Sequence, residues 1–164
     1  MKKRKRKLPK ILKNNEPELT TVCTPVAEGE DISEDIRNLL YALLNSKNCV
    51  GLSANQIGIT KRIIAVKIGN GYRIFVNPEV FVPDHAILCP GIEGCLSYPG
   101  VIKQVNRWNL IGVAFQNEDG EKFDDSYTGQ FARVVQHEAD HLNGRCILDS
   151  NDERTEDKKF TEEG

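Results

Sequence analysis

Histidine is scarce in this 164-residue chain, with three residues in all, and methionine and tryptophan occur once each. Any chemistry that needs imidazole must therefore draw on very few positions. No apolar run approaches the roughly 18 residues of a membrane span, so no spanning helix is expected. The cationic start, MKKRKRK, leads into no apolar stretch, which argues against a secretory leader. The first 20 residues lack serine and already contain Glu16 and Glu18, which weighs against an organellar transit peptide. The formal net charge is only −2, so no global charge argument favours a nucleic-acid partner. Five cysteines form an odd set without tight pairing, as expected of reduced thiols in a cytoplasmic protein. Internal repeats are absent.

What is present suits one globular domain: 39% hydrophobic and 28% charged residues over a length able to enclose a proper core. Residues 1–18 read as a flexible basic arm, residues 19–149 as a single domain, and residues 150–164 as a short charged tail. The arm is expected to solubilise; contact with ribosomal RNA is its sharper reading.

The segment DISEDIRNLLYALLNSK predicts a helix. Ile36, Leu39, Leu40, Leu43 and Leu44 fall on one face, and Ser33 is placed to cap its start. KRIIAVKI and YRIFVNP read as strands joined at Gly-Asn-Gly. Residues 78–100 hold four of the seven prolines and read as a long loop. VIKQVN, NLIGVAFQ and KFDDSY read as further strands. A closing helix is expected from about Thr128 to Asn143, with Thr128 as cap and Gly144 just past its end. The fold class that follows is α+β, with antiparallel sheets and packed helices.

The closing helix carries the chemistry. His137 and His141 are four residues apart, on one helical face, and can turn two imidazoles toward one metal ion. Glu138 is rotated about 100° from His137, where a general base for a bound water would sit. Two surface histidines are the plain alternative for H-E-x-x-H taken alone. Phe131, Val134, Val135 and Leu142 require that the helix pack on the core, and buried histidines need partners. A catalytic site commonly has three protein ligands and one open position. The third could be His85, a carboxylate, or one of Cys23, Cys49, Cys89, Cys95 and Cys146. Cys95 follows Gly94, which lets backbone approach closely; the other four cysteines read as small buried hydrophobes.

Three segments, GLSANQIGI at 51–59, EGCLS at 93–97 and QHEADHLNG at 136–144, together resemble the signature motifs of peptide deformylases, in order and in spacing. The resemblance spans about Leu19 to Asp149. It implies antiparallel sheets packed around a central metal-binding helix, and hydrolysis of the N-formyl group of formylmethionine at the start of nascent polypeptides. Cys95, His137 and His141 would ligate one divalent ion, Fe2+ natively, with zinc, nickel or cobalt able to replace it. Glu138 would move the proton. The Gln56 side chain and the Leu96 backbone N–H would face the oxyanion. Val50 and Gly51 would pair with the peptide, and Val134 would wall the methionine pocket along with Leu96 and Val50. Glu93 would fix the loop near Cys95, Arg107 would pair with a carboxylate there, and Asp140 would orient a ligand histidine.

The implied partner is a formylated nascent peptide, with a transient ribosome contact through the basic arm and no membrane. The implied state is a monomer in the cytoplasm of a bacterium or a virus-infected bacterium, or in an organelle. Three positions depart from the family pattern: Cys49 and Ile102 stand where glycine and arginine are usual, and Gly100 where glutamate is. A strained backbone is expected at Cys49 if that position needs positive φ. No further packed helix is expected after Asp149. Two alternatives compete: another H-E-x-x-H hydrolase such as a peptidase, whose third ligand would follow the motif, and a decayed metal-binding module.

Overall fold

The computed structural model describes residues 6–149. Among them are two α-helices, α1 (Ser33–Asn45) and α2 (Gly129–Leu142), and seven strands. The strands are β1 (Gly51–Ser53), β2 (Ile63–Ile68), β3 (Gly71–Phe81), β4 (Leu88–Gly94), β5 (Ile102–Trp108), β6 (Leu110–Gln116) and β7 (Lys122–Thr128). Five of them form an antiparallel sheet in the order β1-β2-β3-β6-β7, while β4 and β5 form a separate hairpin. The expected α+β class is the observed one. No helix among the described residues is long and apolar enough to cross a membrane.

The sheet is buried on both faces because β2 and β3 are apolar at successive positions. Ile63, Ala65, Ile74 and Val76 pack with Ile36, Leu39, Ala42 and Leu43 of α1. Ile64, Val66 and Phe75 point the other way, into a second cluster with Ala132, Val134, Val135 and Leu142 of α2. The period-2 alternation of side chains thus serves two helices on opposite sides. In α1, Leu44 departs from the expected apolar stripe and is 53% exposed. Ser33 is already helical; Asp31 accepts a hydrogen bond from its backbone N–H at 2.9 Å.

Residues 78–100 are not one loop. β3 runs on through Pro78, where the register shifts between Val76 and Glu79 and Asn77 adopts φ 50°. Such a bulge tolerates the missing proline N–H. β4 follows, pairing Leu88 through Gly94 with Trp108 through Ile102.

The segment expected as a free arm is, from Arg6 onward, held against the domain. Arg6 pairs with Glu34 at 2.5 Å and with Asn38 at 2.7 Å. Leu12 N–H donates to Gln56 O at 2.8 Å, and Asn14 N–H to Ser97 O at 2.9 Å. Ile11 and Leu12 pack on separate core clusters. Two adjacent apolar side chains, with two backbone hydrogen bonds, dock this cationic stretch. The expected tail at 150–164 and the first five residues lie outside the described residues.

Candidate metal centre

Helix α2 presents both histidines from adjacent turns. Their Nε2 atoms are 3.3 Å apart, and Cys95 Sγ is 3.3 Å from His141 Nε2. Cys95, His137 and His141 each offer one ligand atom, all within 4.8 Å of one another. A tetrahedral ion with metal–nitrogen bonds of about 2.0–2.1 Å keeps its nitrogen ligands roughly 3.4 Å apart, so the donor spacing fits such an ion. The electrostatics agree. Burial opposes charge on His137, yet Cys95 and Glu93 beside it push its pKa up to about 10. Burial, with His137 adjacent, holds His141 neutral, down to about 3. The cluster therefore attracts positive charge at His137, while neutral His141 keeps a free ring lone pair. His85, an early rival for third ligand, is exposed and lies outside the cluster.

Cys95 arrives from the end of β4, so three candidate donors far apart in sequence come from two elements. Glu93, two residues earlier, accepts from His137 Nδ1 at 2.8 Å. With Nδ1 donating, Nε2 is left to face the other donors. Glu93 also takes a bidentate pair from Arg107, both bonds 2.9 Å. Burial raises its pKa, but the hydrogen bonds from His137 and Arg107 outweigh burial and hold the carboxyl well below the usual range. Asp140 accepts from Arg107 at 2.5 Å. The carboxylate orienting His137 is thus that of Glu93, a residue expected only to shape its loop.

Glu138 is 4% exposed, and its Oε2 has no hydrogen-bond partner among the described residues. Burial pushes its pKa up to about 7. Gly51 of β1 lies against it: a Cβ there would sit 2.8 Å from Glu138 Oε1 and 2.6 Å from Val134 Cγ1. Gln56 follows in a 3-10 turn, Ala54–Ile57. Its Oε1 accepts from Ser53 N–H at 3.0 Å, and its Nε2 donates to Ser97 Oγ at 3.0 Å and faces Cys95 Sγ at 3.5 Å. The amide thus caps its own turn with one end and points its donor at the cluster with the other. Val50, Gly51, Gln56, Leu96, Val134 and Glu138 all line one cleft of about 520 Å³.

Of the departures, Cys49 is buried, does not adopt positive φ, and donates its thiol to Gly51 O at 3.2 Å; the left-handed turn falls on Asn48 instead, at φ 56°. Gly100 uses its freedom, at φ 79°, and Ile102 is 75% exposed on the rim. Sequence reasoning missed three polar side chains that carry the site. Asn55, fully buried, donates to His141 O at 2.7 Å and so anchors the end of α2. Gln136 bonds both the N–H and the C=O of Trp108, at 3.0 and 2.8 Å. Arg133 reaches from α2 to Glu93 at 2.8 Å. Asn55 and Gln136 lie inside two of the three motif segments, which is the signal that could have found them.

The sequence model of the family described as polypeptide deformylase matches residues 8–157. The chain belongs to this family. A peptide deformylase of Treponema pallidum is 34% identical over 142 residues, covering 87% of both chains. One from Clostridium botulinum is 39% identical over 125 residues, covering 74% of this chain and 84% of that one. Among solved structures, the Thermotoga maritima peptide deformylase superposes with a TM-score of 0.82 at 33% identity, over 88% of this chain and 98% of that one. A class I type b peptide deformylase from Acinetobacter baumannii, bound to Met-Ala-Ser, gives 0.78 at 30% identity, over 86% and 96%. The antiparallel fold around the H-E-x-x-H helix is therefore that of metal-dependent deformylases, and the peptidase alternative loses its basis: the cluster is completed upstream, by Cys95.

Proposed function

We propose that this chain removes the N-formyl group from peptides beginning with formylmethionine, releasing formate and a free amino terminus. The observation that carries the reading is the convergence of Cys95, His137 and His141 beside the unpartnered Glu138 carboxylate in an open cleft. Those three residues would hold one divalent ion, Fe2+ in the cell. That ion supplies, when bound, Lewis acidity toward water and toward the formyl oxygen.

The remaining steps belong to the protein. Glu138 accepts a proton from the attacking water as the new C–O bond forms, and returns it to the amide nitrogen as the C–N bond breaks. A buried carboxyl with a pKa near neutrality is suited to both transfers. Gln56 Nε2 and the backbone N–H of Leu96 donate to the oxygen that becomes negative, each such donor commonly contributing roughly 3–4 kcal/mol. Gly51 brings the edge of β1 close enough for Val50 and Gly51 to pair with the peptide backbone. Val134 and Leu96 offer apolar walls to the methionine side chain.

The substrate class sets the rest of the reading: a monomer acting in the cytoplasm on chains leaving the ribosome. The lysines and arginines of residues 2–5, with Lys7, would meet ribosomal RNA, Arg6 being paired with Glu34. Formate release from a formyl-Met dipeptide tests the reaction, with protein loaded anaerobically with iron(II) or nickel(II). The parent is expected to release formate, and Glu138→Ala to do so about 10²–10⁴ times more slowly while keeping its metal. No release by the parent would overturn the reading; an unimpaired variant would remove Glu138 from its role.

A further inference from the structure

The metal ligands come from two separate elements. Cys95 lies in the connection of the β4–β5 hairpin, while both histidines ride on α2. The hairpin is not part of the five-stranded sheet that packs on α2, so the sheet ladder does not set the spacing between thiol and imidazoles. Something else must.

Gln136 on Trp108 and Arg107 on Asp140 tie β5 to α2, and Arg133 spans the gap to β4 as well. It sits on α2 one turn before His137, with its side chain 12% exposed. Its Nη1 donates to Glu93 Oε2 at 2.8 Å and to Val105 O at 2.8 Å, and its Nη2 to Cys89 O at 2.6 Å. One guanidinium therefore ties the helix to β4, to β5 and to the carboxylate that orients His137. Glu93 is thereby saturated. Its Oε1 accepts from Arg107 and His137, and its Oε2 from Arg107 and Arg133. A planar fork with several fixed donors is suited to such bracing in a way that a lysine is not.

Gly91 completes the arrangement. A Cβ there would lie 2.5 Å from Arg133 Cζ and 2.7 Å from its Nη2. The guanidinium rests directly on the β4 backbone, and any side chain at 91 would lift it away. Neither residue belongs to the three sequence motifs.

We propose that Arg133, seated on Gly91, is a positioning residue of the metal centre: it sets the spacing between the hairpin that carries Cys95 and the helix that carries His137 and His141, and it locks Glu93 against His137. The proposal rests on the reading of that cluster as a metal site, and not on the reaction the site performs. Cobalt(II) binding by the full chain tests it, read from visible absorption and from competition with a chelator, alongside the melting temperature of each metal-free protein. Arg133→Met keeps the stem and removes the fork. It is expected to weaken cobalt affinity about tenfold or more and to shift the absorption bands. Gly91→Ala, which leaves every charge in place, is expected to act in the same direction, and Arg133→Lys to fall between parent and Arg133→Met. Should Arg133→Met fail to fold, Gly91→Ala and Arg133→Lys carry the same comparison. Affinity and spectra matching the parent within twofold, with only the melting temperature lowered, would reduce Arg133 to a structural tie and overturn the proposal. A parent that holds no cobalt would overturn the metal-site reading beneath it, whereas formate release is measured separately and bears on the reaction alone.

Discussion

Gly51 has two neighbours that leave no room for a methyl group, the Glu138 carboxylate and a Val134 methyl. Gly51→Ala must push one of them aside. Displacement by about 1 Å of the group proposed to move the proton can lower turnover roughly a hundredfold. Formate kinetics on Gly51→Ala are expected to show a kcat loss of about that size, with metal content unchanged. Glu93 makes its contribution through charge. Its folded pKa is lowered, so the stability it contributes is complete above the unfolded carboxylate range and is lost as pH falls through the lowered folded value. Glu93→Gln is thus expected to lower the urea midpoint clearly at pH 7. The gap from the parent should shrink as pH drops below about 4. A gap of equal size at pH 7 and pH 3 would mean that packing, not charge, is what Glu93 supplies. At this scale the sequence was uneven. His137, His141 and Glu138 announce themselves by spacing, because a helix fixes which residues share a face. The third donor did not: five cysteines competed, and the resemblance rather than the physics pointed to Cys95. Glu93 and Arg133 were harder still, since a charged residue in sequence gives no sign of the buried partner it will meet.

Among the elements, the two helices and most of the five-stranded sheet were legible from apolar periodicity alone. β4 was not, because Leu-Cys-Pro-Gly-Ile-Glu-Gly has neither alternation nor β-branched density, and its proline and glycines fit the long loop expected at 78–100. Its place in the hairpin is set by pairing with β5 and by Arg133, both of them contacts between residues distant in sequence. The N-terminal segment misled for a different reason. Its charges dominate any composition window, whereas its docking depends on Ile11, Leu12 and two backbone hydrogen bonds. Those bonds reach Gln56 O and Ser97 O, so the segment braces the Gln56 turn and the loop that carries Cys95. Removal of residues 1–14 is therefore expected to lower the melting temperature by roughly 5–10 °C, from about 2–3 kcal/mol of lost burial and hydrogen bonding. A solubilising tail would come off with no change in a thermal scan.

For the whole molecule, the layers form a sandwich of helix, sheet and helix, with the hairpin and Cys95 closing one side of the cleft. Its class followed from the order of elements, but the division of the interior into two clusters did not, since apolar content says nothing about which face a residue will take. That division turns on β2. Its odd-numbered residues, Ile63 and Ala65, serve one cluster, and its even-numbered ones, Ile64 and Val66, serve the other. Neither half can loosen while this strand stays put, nor stay intact once it leaves. The amides of 63–66 should accordingly be the last to exchange with deuterium, at a rate matching that of global opening, and calorimetry should record one transition for both halves. A six-residue ribbon at the centre thus makes a two-chambered interior melt as a single body.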